Sequence, residues 1–194
     1  PYFFNAGLFN TGARLDRLGA FYAETLLAAR KAGRLDFDMI FGPAYKGIPL
    51  AASVAMNLSR MGRDVPWAFN RKEIKDHGEG GMIVGAPLKG RVVIIDDVIS
   101  AGTSVRESVK IIEANNASPS GVLIAVDRME RGGTADAPTA TSAVQDVEKT
   151  FGLSVVSIIN LHDLLAFMDG PSEKAKTVAQ YRDAVAAYRA RYGA

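Results

Sequence analysis

Residues 92–95 read Val-Val-Ile-Ile, and the next two are Asp96 and Asp97. A run that is β-branched throughout suits a pleated strand and leaves that strand no solvent face. This is the pattern of a central strand in a parallel sheet covered by helices on both sides. Similar short apolar runs stand at Phe37–Phe41, Val122–Val126 and Val155–Ile159, with a weaker one near Val65–Phe69. Helical stripes lie between them. Thr11 can cap a helix carrying Leu15, Leu18, Tyr22, Leu26 and Ala29, and Gly33 supplies its stop. Further helices are predicted over Gly47–Leu58, from Thr103 through Val109 and Ile112, over Val144–Phe151 and from His162. A last one places Val178, Tyr181, Val185 and Tyr188 on one stripe. Between Asn70 and Lys89 the periodicity dissolves into mixed charges and glycines. Gly132–Ser142 reads as a loop, and Thr134–Thr141 within it as a surface insertion. The alternation predicts an α/β fold with an open, mostly parallel sheet flanked by helices. In such sheets ligands bind beyond the carboxyl ends of the strands, so the loops after Phe41, Phe69, Ile95 and Val126 are the places to search.

Composition narrows the chemistry. The 194 residues suffice for one α/β domain and contain neither a repeat nor a long linker. Cysteine is absent and His77 and His162 are the only histidines, which removes disulfide scaffolds, thiol nucleophiles and thiolate-ligated zinc. A net charge of +2 is too balanced to argue for nucleic acid or an anionic membrane as partner. No apolar run approaches a membrane span and no leader pattern opens the chain, so a cytoplasmic protein is expected. The chain opens on Pro1 instead of Met, and we expect a natural N-terminal segment to precede it.

The segment Asp96-Asp97-Val98-Ile99-Ser100-Ala101-Gly102-Thr103-Ser104 carries the strongest chemical signal. Ser100, Thr103 and Ser104 offer hydroxyls, while Ala101 and Gly102 allow backbone amides to come close to a ligand. Amides at a helix N-terminus favour an anion. The two carboxylates cannot face that anion, so they suit sugar hydroxyls or a divalent cation. A phosphate beside a ribose diol satisfies both ends. The plainer alternative is a capped helix behind a solvated acidic turn. No Walker loop is present: Gly42 and Gly47 have its glycine spacing, but Ile48-Pro49 follows.

Val92–Ser104 resembles the signature of the type I phosphoribosyltransferases, which bind phosphoribosyl pyrophosphate. Phe3–Gly7, Phe41–Pro49, Asn70–Gly81 and Asp127–Gly132 are similar to the orotate-specific branch of that family, and the resemblance runs to about Met168. It implies a small hood over the carboxyl ends of the strands and a single phosphoribosyltransferase domain over residues 1–194. It also implies a mobile catalytic lid at Arg71–Gly81. Arg71, Lys72, Lys75 and His77 would contact the diphosphate, joined from the opposite side by Tyr45 and Lys46. Asp96, Asp97, Val98, Ile99, Ser100, Ala101, Gly102, Thr103 and Ser104 would bind the ribose phosphate, with Lys75 and Asp97 as the catalytic residues. Phe3, Phe4, Ser100 and Arg128 would hold orotate, the aromatic pair against its ring and the guanidinium on its carboxylate or carbonyl edge. Ser100 stands where the family often has Thr. Without the resemblance, an aromatic pair is more often core and an Arg beyond a strand more often solvated.

The implied reaction needs Mg²⁺ carried by the substrate and water, with no direct protein ligand. It needs no protein nucleophile, which agrees with the residue inventory. The family's enzymes are homodimers whose lid residues reach into the neighbouring site. A phosphoribosyl pyrophosphate-sensing regulator would keep the fold but calls for a nucleic-acid module, and a purine-specific enzyme would fit Phe3, Phe4 and Arg128 poorly.

Overall fold

The computed structural model describes residues 4–75, 81–134 and 137–194. Six strands form one sheet: β1 (Met39–Gly42), β2 (Trp67–Lys75), β3 (Gly81–Gly85), β4 (Arg91–Ile95), β5 (Ser118–Asp127) and β8 (Ser154–Asn160). Their order is β3-β2-β1-β4-β5-β8, with β2–β3 antiparallel and the other pairs parallel. The helices between them are α1 (Gly12–Lys31), α2 (Gly47–Arg60), α3 (Thr103–Ala114) and α4 (Ala143–Phe151), followed by α5 (Leu161–Met168), α6 (Glu173–Val178) and α7 (Arg182–Tyr192).

Successive residues of each central strand face opposite sides, and the core divides accordingly. Ile40, Val93, Ile95, Leu123, Ala125 and Val156 pack with Tyr22 and Leu26 of α1 and Leu50, Val54 and Leu58 of α2. Met39, Phe41, Val92, Ile94, Val122, Ile124 and Val155 pack with Val105, Val109 and Ile112 of α3 and Val144 and Val147 of α4. Each fully buried aliphatic side chain contributes roughly 1.5–3 kcal/mol, so the continuous apolar runs hold both helix layers. Thr11 caps α1 as expected, its hydroxyl accepting from Arg14 N–H at 3.3 Å.

Several segments depart from the sequence reading. Asn70–Lys75 is a continuation of β2, paired with β3 through Asn70–Ile83 and Lys75–Gly81, where pattern alone suggested no regular structure. Gly132–Ser142 is largely a hairpin of β6 (Arg131–Thr134) and β7 (Ala137–Ser142) instead of a loop. Thr139 donates to Asp146 of α4 at 2.8 Å, and Thr141 donates to the same carboxylate, so the described part of the expected insertion is pinned to the body. The C-terminal stripe is not one helix: a 3₁₀ turn over Ala179–Tyr181 separates α6 from α7, leaving Tyr181 exposed while Val185 is buried. Leu161, Met168 and Val185 of α5 and α7 gather Met129 into a small third cluster beyond the ends of β5 and β8.

Candidate active site

The loops after β1, β4 and β5 leave the same edge of the sheet. Pairing with β5 continues past β4, since Asp96 N–H donates to Leu123 O at 3.1 Å and Ala125 N–H to Asp97 O at 2.9 Å. The alternation of the strand therefore sends the two carboxylates apart. Asp96 meets α3, where Ser104 Oγ donates to its Oδ2 at 2.8 Å, and its Oδ1 accepts Asp97 N–H at 2.9 Å. Asp97 meets the start of α2, accepting Lys46 Nζ on Oδ2 at 2.8 Å and Val98 N–H on Oδ1 at 2.9 Å. From the α1 layer Tyr22 donates its hydroxyl to Asp96 O at 2.8 Å.

Asp96 and Asp97 are only 7% and 4% exposed, so the solvated acidic turn is not what forms. Burying charge is costly unless each oxygen is paired, and here each carboxylate oxygen has a donor. A carboxylate holds about four lone-pair sites, so both retain accepting capacity beyond these bonds. Burial nevertheless pushes Asp96 up to about 6; the Ser104 and Asp97 N–H bonds oppose the rise, and the Asp97 charge adds to it. The Asp97 hydrogen bond and charge raise Lys46. Burial, followed by the Asp97 and Asp96 charges, raises the Tyr22 hydroxyl well above its ordinary range.

Beyond the acidic pair, Val98, Ile99, Ser100, Gly102, Thr103 and Ser104 line a cavity of about 250 Å³ together with Asp96. Ser100, Ala101 and Gly102 also border a smaller space against the β6 and α4 region. Gly102 precedes α3 at φ +69° and offers no side-chain cap. A Cβ there would be strained whatever the space around it. The first amides of α3 thus receive no bond from the residue before them, which leaves that helix end suited to an anion. Gly47, at the start of α2, serves a different need: a Cβ would fall 2.6 Å from Pro43 Cδ and 2.9 Å from Ile95 O. Glycine lets the turn after β1 close directly on the end of β4.

The remaining expected site residues are distributed as follows. Tyr45 is 68% exposed, with the Lys72 ammonium 5.2 Å from its ring centre. Arg71 donates to Gly81 O at 3.2 Å, across the two strands of the β2–β3 arm. Lys75 ends β2. Its side chain, His77 and Phe3 lie outside the described residues, as does the tip of the expected lid at 76–80. Phe4 packs partly buried against the α1 layer, its ring centre 5.5 Å from that of Phe9. Arg128 pairs with Glu130 at 2.9 Å, so it is not the solvated arginine that its position alone suggests. Two supports escaped the sequence reading. Asn70 Oδ1 accepts Ala44 N–H at 2.9 Å and ties the arm to the Tyr45–Lys46 turn; Tyr22 anchors the acidic turn from 74 residues away. Among the described residues no group of three or more His, Asp or Glu side chains is arranged to hold a metal ion. No helix among them is long and apolar enough to cross a membrane.

Comparison with known proteins agrees with this geometry. A model of the phosphoribosyl transferase domain matches residues 14–155. The orotate phosphoribosyltransferase of Herminiimonas arsenicoxydans is 62% identical over 193 residues, spanning all of this chain and 85% of its own. That of Bordetella petrii is 61% identical, over all of this chain and 84% of its own. The crystal structure of the Francisella tularensis orotate phosphoribosyltransferase superposes with a TM-score of 0.80 at 36% identity, covering 100% of this chain and 87% of that one. The chain belongs to the phosphoribosyl transferase family, among its orotate phosphoribosyltransferases.

Proposed function

We propose that this protein transfers the phosphoribosyl group of phosphoribosyl pyrophosphate to orotate, giving orotidine 5′-phosphate and diphosphate for pyrimidine nucleotide synthesis. The observation that carries the proposal is the turn after β4, where the buried Asp96 and the uncapped start of α3 line one cavity, and the next residue, the buried Asp97, holds Lys46 on the side of α2. The 5′-phosphate takes the α3 amides, that of Ser104 among them, with the Thr103 hydroxyl, while the Ser104 hydroxyl proton stays on Asp96. The ribose hydroxyls donate to the Asp96 and Asp97 carboxylates, whose charge strengthens those bonds. During transfer the bond from the anomeric carbon to the diphosphate oxygen breaks, its electron pair leaving with the diphosphate, as a ring nitrogen of orotate bonds to that carbon and gives up its proton. Positive charge grows on the sugar and negative charge on the leaving group. Asp97 faces the sugar; Lys46 on one side and Arg71, Lys72, Lys75 and His77 on the other stabilise the departing diphosphate. Arg128 takes the carboxylate edge of the base, where a guanidinium fork is well matched.

Mg²⁺ would be carried by the diphosphate and water and would neutralise phosphate charge, and Asp96 and Asp97 would accept from its waters. We further propose a cytoplasmic homodimer in which the arm bearing Arg71, Lys72, Lys75 and His77 completes the neighbouring subunit's site. Mixing a Lys75→Ala chain with a chain disabled at Asp97 restores activity if the arm is shared; no recovery despite proven subunit exchange removes that arrangement.

The reaction itself is tested by following orotate absorbance with phosphoribosyl pyrophosphate and Mg²⁺, beside adenine, hypoxanthine and uracil. Orotate alone is consumed if the proposal holds. Turnover of a purine without orotate would overturn it and leave the fold untouched.

A further inference from the structure

The exit of β5 and the C-terminal helices meet around the residue assigned to the base. Arg128 Nη2 lies 2.9 Å from Glu130 Oε2, and the two side chains are only 19% and 18% exposed. Tyr188, on α7, stands against the same Glu130 carboxylate: burial first, and then that carboxylate, raise its hydroxyl above the ordinary range. The backbone between these groups is clamped. Met129 adopts φ +52°, its N–H donating to Asp127 Oδ1 at 2.8 Å and its carbonyl accepting Ala194 N–H at 3.0 Å. Glu130 bridges Gly193, and Arg131 Nε donates to Gly193 O at 2.9 Å.

A largely buried ion pair is weak evidence for stability, because desolvation cancels much of its attraction, and an apolar contact of equal volume would hold these helices as well. What the pair supplies is geometry. An unrestrained arginine carries about 2 kcal/mol of rotamer entropy that a ligand would otherwise have to offset. A guanidinium already fixed by a carboxylate, itself fixed from α7, loses less on meeting its target.

We propose that Glu130, held by Tyr188, is a positioning residue that aims Arg128 at the carboxylate-bearing edge of the base, so that α7 takes part in base selection. This rests on the reading of Arg128 given under Proposed function.

Steady-state kinetics of the full chain test it, with orotate and phosphoribosyl pyrophosphate varied separately. Glu130→Gln keeps the volume but removes the charge. It is expected to raise the orotate KM about tenfold, as loss of one well-aimed charged contact does, with the phosphoribosyl pyrophosphate KM within about twofold. Tyr188→Phe moves the orotate KM in the same direction by about threefold, and it carries the test alone should Glu130→Gln fail to fold. In an Arg128→Ala background Glu130→Gln adds nothing if it acts through Arg128. Equal rises in both KM values, or a full additional loss on top of Arg128→Ala, would overturn the proposal and leave Glu130 a structural residue. A folded Glu130→Gln chain with wild-type kinetics would also overturn it, while orotate turnover by the wild type leaves the proposed function standing. If the wild type does not consume orotate, both readings fall together.

Discussion

The turn after β4 and the β2–β3 arm carry charges for the same substrate, but they are built on opposite terms. In the turn each carboxylate oxygen of Asp96 and Asp97 has a donor within 3 Å, and both residues are buried between helix layers. In the arm Lys72 and Glu73 are exposed, Arg71 reaches across to the facing strand, and the two strands pair backbone to backbone. The turn is part of the fold before any ligand arrives, so its residues serve stability and binding together. Among the described residues Trp67, Ala68, Asn70 and Ile83 tie the two strands to the body, while Lys72 and Glu73 stand exposed, so the charged residues of the arm can serve the reaction without supporting the fold.

Changes at the two places should therefore separate. The largest effect is expected in the arm: Lys75→Ala lowers kcat by roughly 10²–10³-fold, the usual cost of one preorganised charge-stabilising donor, while the thermal midpoint stays put. Stopped-flow or absorbance kinetics beside a melting curve check both halves of that statement. A drop in midpoint as large as a core substitution would erase the contrast.

The turn answers to pH. Asp96 sits at about 6 in the folded protein, above its ordinary value of 3.8. Its protonated form favours folding, so this contribution is full below about 4 and is lost as pH rises through about 6; ionising the buried group costs about 3 kcal/mol. Carboxylates held low by arginines, such as Asp36 beside Arg30 and Arg91 and Asp38 beside Arg91, change in the opposite direction at lower pH. The difference between wild type and Asp96→Asn isolates the term. Urea unfolding from pH 4 to 7 is expected to show wild type losing ground against the variant by up to that amount, and a difference that is flat with pH would contradict the burial argument.

A smaller effect tests the packing of the turn against its neighbour. Gly47→Ala pushes a methyl toward Pro43 and Ile95 O. It is expected to cost about 1–3 kcal/mol in urea unfolding and to raise the phosphoribosyl pyrophosphate KM, because the Lys46 carrier turn must shift. Unchanged stability would show that the turn has slack.

The same contrast explains what could be read from the residues alone. Val92–Ile95, Phe37–Phe41 and Val122–Val126 announced buried strands because burial on both faces leaves a compositional trace, and the acidic pair after the first of them announced a ligand. The arm left no such trace: Asn70–Lys75 is a strand by backbone pairing, with no apolar face to mark it. The Ala/Thr/Pro-rich hairpin was missed for a related reason, since hydroxyl bonds to Asp146 hold it in place of apolar burial. The C-terminal stripe misled because helical spacing continues across a 3₁₀ turn. Site supports such as Tyr22 on Asp96, Asn70 on Ala44 and Tyr188 on Glu130 join distant segments, and no local pattern signals them.

Calorimetric titration of phosphoribosyl pyrophosphate with Mg²⁺ into wild type, Lys75→Ala and Asp97→Asn tests the division of labour most directly. Asp97→Asn is expected to weaken binding by tenfold or more, the loss of a charge-assisted bond to the ribose, while Lys75→Ala binds within about threefold of wild type despite its lost turnover. Near-normal binding by Asp97→Asn together with a collapse of binding in Lys75→Ala would contradict the separation of a prebuilt turn from a catalytic arm.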